Sequence, residues 1–233
     1  MTIADKTVLV TGANRGIGQA LVEEALNRGA KRVYAGARQT VNHVDRRVTP
    51  LTLDVTNAAQ IQRAVDEVDS LDILINNAGV ALYDDLSDRA VLERHLAVNL
   101  FGAYGVIQAF LPLLIRSEGA IVNNLSANAL APLPLNPAYS ISNAAAFNMT
   151  QSLRVLLAVQ GVRVHAVLTG LVDTDMTRGL DIPKASPDSV ARGIFDGVEK
   201  GRRTSSPIPC HSPWRKAGAA MRPRHSSVST RRS

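Results

Sequence analysis

The stretch PAYSISNAAAFNMTQSL, residues 137–153, carries a tyrosine at position 139 and, four residues on, Asn143. Tyr-x-x-x-Lys is the spacing expected around an active-site tyrosine, and here the lysine is absent. An unperturbed tyrosine has a pKa of about 10, too high for easy proton exchange near neutral pH. A second stretch, VTGANRGIG, places glycines at 12, 16 and 18. Glycine permits positive φ and lets the backbone come close to a pyrophosphate. A helix beginning there turns its free N–H groups and the positive end of its dipole toward that anion. The chain therefore combines a phosphate cradle near its start with a possible proton donor far along it.

Such groups need elements to position them, and the hydrophobic pattern supplies alternating strands and helices. KTVLVTG is a short β-branched run ending at Gly12, and GQALVEEALNRG then has helical spacing and ends at Gly29. RVYAGA and VTPLTLDV read as the next two strands, and NAAQIQRAVDEV as a helix opened by Asn57. LDILINNAG is a further buried strand. A long helix is expected over about Asp88 to Arg116, then the strand AIVNNLS, a helix from about Pro137 to Gln160 and a sixth strand, VRVHAVLTG. SPDSVARGIFDGVEKG reads as the last helix, with Ser186 as cap and Pro187 at its first position. Near-continuous apolar strands alternating with helices mean a parallel sheet covered on both faces. The expected class is α/β: a single-domain, Rossmann-type doubly wound parallel sheet over residues 1–201, with ligands at the carboxyl ends of the strands.

Composition narrows the setting. The 233 residues are 45% hydrophobic and 20% charged, as in ordinary globular proteins. No apolar run reaches the roughly 18 residues that cross a bilayer, and the N-terminus lacks the pattern of a signal peptide, so neither membrane nor export is expected. One cysteine gives no disulfide framework and suits a reducing cytoplasm. His43, His95 and His165 lack metal-ligand spacing, and no metal is expected. The formal charge is +6, from 26 Lys/Arg against 20 Asp/Glu. Eight Lys/Arg and no acid lie from Arg202 to Ser233, which leaves residues 1–201 with 18 against 20, or −2. The basic character therefore belongs to residues 202–233, whose composition reads as a disordered tail. With one aromatic and no periodic face, that tail is not expected to bind nucleic acid.

The spacing Gly12-x3-Gly16-x-Gly18, together with NNAG at 76–79, resembles the short-chain dehydrogenase/reductase family from about Lys6 to Gly201. The resemblance implies one Rossmann-type domain using NAD(H) or NADP(H), with Gly12, Asn14, Arg15, Gly16, Ile17 and Gly18 in the cofactor loop. Asp54 and Val55 correspond to adenine contacts, and Asn76, Ala78 and Gly79 to the segment beside the adenosine ribose. Asn76 or Asn77 could instead only tie strands together, and Asp54 could be a turn residue. NAD enzymes usually carry an acid at the end of the second strand. This chain has Ala37 and Arg38 there, and Arg15 adds a second guanidinium, a pair suited to the 2′-phosphate of NADP(H). Gly170, Val172 and Thr174 fit the segment that holds the nicotinamide carboxamide, although Thr169-Gly170 stands where the family usually has Pro-Gly.

The resemblance also assigns the reaction centre. Tyr139 donates a proton to a carbonyl oxygen and also contacts the cofactor, Ser126 polarises that oxygen, and Asn99 helps hold a relay water. The family's lysine favours tyrosinate through its charge and hydrogen-bonds the nicotinamide ribose. Asn143 can supply hydrogen bonds but no charge. The expected protein is an NADP(H)-dependent oxidoreductase that interconverts a small apolar ketone or aldehyde with an alcohol, slowed by Asn143, as a homodimer or homotetramer. The alternative is a non-catalytic NADP(H)-binding protein on the same scaffold. Two features have no place in this reading. One is the asparagine density at 123, 124, 128, 136, 143 and 148. The other is the tail: codons compatible with Arg202–Gly218, shifted by one restored base, encode an acidic segment resembling the family's final strand. The tail thus reads as an out-of-frame translation, with the seventh strand lost.

Overall fold

Thr7–Thr11 is buried at all five positions, which suits a strand covered on both faces. It is β1, an interior strand of a seven-stranded sheet ordered β3-β2-β1-β4-β5-β6-β7, every neighbouring pair parallel. The other strands are β2 (Arg32–Ala37), β3 (Val48–Thr52), β4 (Ile73–Asn76), β5 (Ala120–Ser126), β6 (Arg163–Thr169) and β7 (Thr204–Ser205). The computed structural model describes residues 1–207, and the expectations for 208–233 lie outside them. Order reverses between β1 and β4, so their carboxyl ends diverge into the crevice that such folds use for ligands.

Six α-helices cover the sheet: α1 (Gly16–Asn27), α2 (Ala58–Asp66), α3 (Arg89–His95), α4 (Ala103–Arg116), α5 (Pro137–Ala158) and α6 (Pro187–Glu199). Their starts follow the expected chemistry. Asn57 accepts from the Gln60 amide and Ser186 from the Ser189 amide, with Pro187 in the first turn. Helices α1 and α6 close one face, where Leu21, Ile194, Phe195 and Val198 meet Val8, Val10 and Val167. The other face buries Leu9, Leu74 and Ile121 under Val106, Ile107 and Phe110 of α4 and Leu153 and Leu157 of α5. Each such fully buried side chain is worth about 1.5–3 kcal/mol relative to exposure.

Three expectations need correction. The helix expected over 88–116 is interrupted: Leu96–Gly102 is π-helical between α3 and α4. Taken together, Arg89–Arg116 is a 28-residue helix whose apolar window, at a mean hydropathy of 1.7, would be long enough for a bilayer, contrary to the count of apolar runs. Its apolar side, however, lies on the sheet. The seventh strand is also present. Thr204 and Ser205 pair with Ala166 and Val167, so residues 202–207 belong to the fold and not to a tail. The Arg202 carbonyl accepts from His165 Nδ1 at 2.8 Å, and Gly193 and Gly197 of α6 leave room for Pro207 and Ser205. Two paired residues suffice for the strand because parallel pairing uses backbone groups that any sequence carries.

Candidate active site

The glycine loop leaves β1 with positive φ at Gly12 (68°) and Gly16 (54°). At Gly18 a Cβ would stand 2.0 Å from the Gly12 carbonyl oxygen, so the loop closes on its own backbone and tolerates no side chain there. Arg15 is the N-cap of α1 and makes no side-chain cap bond, leaving the first-turn amides of a 12-residue helix for an anion. The Ala13 amide donates to the Gly36 carbonyl at 3.0 Å, joining the loop to the end of β2. Asn14, Arg15 and Arg38 are exposed, while Ile17 packs against the core. Asp54 accepts from the Thr56 amide (2.9 Å) and hydroxyl (2.7 Å), and these bonds, with the Arg38 charge, hold its pKa below the usual carboxylate value. Val55 is buried against Gly102. These residues fit a dinucleotide: a floor that side chains would fill, free helix amides and exposed guanidinium groups on the glycine loop and just after β2.

The crowded asparagines form ties across the sheet. Asn76 Nδ2 donates to Asn123 Oδ1 at 2.9 Å, and Asn123 Nδ2 to Thr150 of α5 at 2.9 Å. A second line runs from Thr169 through Asn124 to Asn77, whose Nδ2 donates to the Thr11 carbonyl at 3.1 Å. Thr11 Oγ1 accepts from the Asn77 and Ala78 amides at 3.0 Å, fixing the segment of Ala78 and Gly79 against the glycine loop. Asn76 and Asn77 are thus structural ties as well as neighbours of the cleft. The partly buried Asn124 amide has its partners in Asn77 and Thr169.

At the carboxyl end of β5, Ser126 is buried and its Oγ accepts from the Asn128 amide at 3.1 Å. Tyr139 lies in the first turn of α5. Although the residue keeps some exposed surface, burial pushes the phenol pKa up, and the neighbouring Ser126 and Asn143 side chains only partly offset this. Asn143 is 5% exposed and committed to the backbone: Oδ1 accepts from the Ser126 amide at 2.9 Å and Nδ2 donates to the Tyr139 carbonyl at 3.0 Å. It clamps β5 to α5 and brings no charge to the phenol. Asn99 lies in the π-helical segment. It accepts from the Val80 amide (2.9 Å) and donates to the Val80 carbonyl and Ser142 Oγ (3.0 Å each).

Two positioning residues escape sequence reasoning. Asn136, the N-cap of α5, makes no side-chain cap bond, and Asp84 supplies the missing acceptor to the Ala138 amide at 3.2 Å. His95 is fully buried, bonded to the Val91 carbonyl and the Leu82 amide, and sets its ring edge-on to Tyr139 with centroids 6.2 Å apart. Neither has a local signature, because each acts on a helix distant in sequence. Among the described residues no cluster of three metal-ligating side chains occurs.

After β6 the chain passes Gly170 and buried Val172, which bridges Ala185. Thr174 then lies over Gly16, where a Cβ would meet its methyl at 3.1 Å. Gly16, Thr174, Asp175, Arg178 and Lys184 help line a cavity of about 660 Å³. Arg15, expected to face a phosphate, instead donates to Asp175 Oδ2 at 2.7 Å, and Arg178 takes the other oxygen. The expectation overlooked this partner because it lies 160 residues along the chain.

This fold and this cleft are those of a dinucleotide-dependent oxidoreductase, and residues 6–184 match the short chain dehydrogenase family, to which the chain belongs. It is 35% identical over 208 residues to an uncharacterized oxidoreductase of Staphylococcus epidermidis, covering 84% of this chain and 90% of that one. It is 32% identical over 224 residues to a sorbitol dehydrogenase of Cereibacter sphaeroides, covering 90% and 85%. A solved short chain dehydrogenase of Burkholderia cenocepacia, in complex with NADP, is 35% identical with a TM-score of 0.88, covering 95% of each chain.

Proposed function

We propose that this oxidoreductase uses NADP(H) to interconvert a small apolar ketone or aldehyde with an alcohol, and that Asn143 makes it slow. The observation that carries the reading is the placement of Ser126 at the carboxyl end of β5 and Tyr139 in the first turn of α5, joined through Asn143, which bonds the Ser126 amide and the Tyr139 carbonyl. When bound, the nicotinamide supplies or accepts the hydride. Tyr139 gives its phenolic proton to the carbonyl oxygen in reduction and takes it back in oxidation. Ser126 donates to the same oxygen and stabilises its developing charge. Gly12, Gly16, Gly18 and the start of α1 hold the pyrophosphate, and Gly170, Val172 and Thr174 border the nicotinamide. NADP(H) is favoured by Arg15 on the glycine loop and Arg38 just after β2, by the absence of an acid at the end of β2, and by the NADP complex of the similar Burkholderia protein.

Exposed Tyr83, Leu130, Leu135, Met176 and Ile182 flank the site and favour an apolar substrate. Phe101, Tyr104, Val155, Leu156 and Val159 are exposed on and beside α4 and α5 and favour a homodimer or homotetramer through those helices. The test is NADPH oxidation over a panel of apolar ketones and aldehydes with the natural chain and Asn143→Lys. Turnover raised by about tenfold or more in the variant supports a reductase lacking one catalytic part. NADPH binding without turnover in either chain would make this a non-catalytic binder.

A further inference from the structure

Arg15 and Asp175 face each other across the mouth of the cleft, one on the glycine loop and the other on the turn after β6. We infer that Asp175 is a cofactor-selectivity residue: it competes with the 2′-phosphate of NADP(H) for Arg15. The inference rests on the NADP(H) reading above.

Arg15 is exposed on the glycine loop, two residues beyond Ala13, whose amide ties the loop to Gly36 in β2. A guanidinium fork there matches a phosphate in shape and charge. It cannot give the same N–H groups to a phosphate while its Nη1 donates to Asp175 at 2.7 Å. The exchange is balanced on the other side. Asp175 also holds Arg178, so releasing Arg15 leaves no unpaired carboxylate. A phosphate monoester carries about −1.5 to −2 charge against −1 for the carboxylate, and so displaces it. Both partners keep substantial exposure, 65% for Arg15 and 38% for Asp175, so the competition is modest. Exposed pairs of this kind move an equilibrium by up to about fivefold. NAD(H), lacking the 2′-phosphate, has no use for the released arginine. Asp175 therefore narrows the preference for NADP(H) that Arg15 provides.

The experiment is fluorescence titration of NADPH and NADH with the natural chain, Asp175→Asn, Arg15→Ala and the double variant. Asp175→Asn is expected to tighten NADPH about two- to fivefold, to leave NADH unchanged, and to have no effect once Arg15 is alanine. Equal tightening of both dinucleotides would mean a general charge effect and would overturn the inference, as would a benefit that persists without Arg15. No change in NADPH affinity would overturn it too. If the natural chain binds neither dinucleotide, the cofactor reading itself fails and takes this inference with it. Unchanged melting temperatures for the exposed-site variants confirm that binding, not folding, is compared.

Discussion

An amide one helical turn beyond Tyr139 alters the acid–base behaviour of the phenol in a definite direction. Burial raises its pKa above 10, and Asn143 brings no cation to lower it. The protonated form, which reduction needs, therefore dominates through the neutral range, while the phenolate that oxidation needs stays scarce. Alcohol oxidation is expected to rise about tenfold per pH unit through the range below that pKa without a plateau, with reduction nearly flat. In Asn143→Lys the oxidation profile should level off at lower pH. A plateau at neutral pH in the natural chain would show that another group charges the site. Tyr139→Phe should abolish turnover and leave the dinucleotide Kd within about twofold, since the phenol acts on the substrate oxygen. At this scale the sequence was a good guide where the backbone itself demands glycine, as at Gly12 and Gly18. It was silent on Asp84, His95 and Asp175, whose partners are brought close only by the fold.

Among the elements, periodicity gave five helices and six of the strands, because each buries a continuous face, with α3 and α4 read as one helix. It missed the π-helical segment around Asn99, since an inserted residue hardly disturbs an apolar pattern read at 3.6 per turn. It also left the asparagines unexplained, because strand register, which pairs Asn76 with Asn123, is decided by the sheet. That register makes a stability prediction. Asn123→Ala removes the partner of both Asn76 and Thr150 in a region with no water access, and should lower the unfolding free energy by about 1–3 kcal/mol. Urea unfolding measures this, and a neutral outcome would mean that the ties are replaceable. The α1–α6 contact depends on Arg28 in a comparable way. It holds Glu24, Asp196 and Glu199 at 2.7–2.8 Å and stacks on Phe195. Arg28→Ala should lower the melting temperature by several degrees, and added salt should recover little of it because the arginine is only 17% exposed.

For the molecule as a whole, the weak point is the edge where β6 receives β7. His165 lies there buried at 4% exposure, with Nδ1 donating to the Arg202 carbonyl and Nε2 without a partner among the described residues. Burial lowers its pKa, and the charges of Arg163 and Arg154 lower it further, although the bond to Arg202 opposes them. A histidine whose folded pKa is depressed binds a proton more readily once unfolded. Stability is therefore full above the unfolded pKa of about 6.5 and is lost as pH falls below it, by at most about 1.4 kcal/mol per pH unit. Asp45, with a pKa of about 2, and Asp54 and Asp196, shifted below 3.8, act only at lower pH and do not blur this window. Melting curves at about pH 7.5 and 5.5 should show a fall in the natural chain that is smaller in His165→Gln. The same edge separates two truncations. A chain ended after Pro207 keeps β7 and its seat on Gly193 and Gly197, and should melt like the full chain. One ended after Gly201 loses the Arg202 carbonyl that holds His165 and exposes the β6 edge, so it should melt lower; with the burial that depresses the His165 pKa relieved, its further loss with acid should be smaller. Equal melting of the two truncations would mean that the two-residue strand contributes nothing.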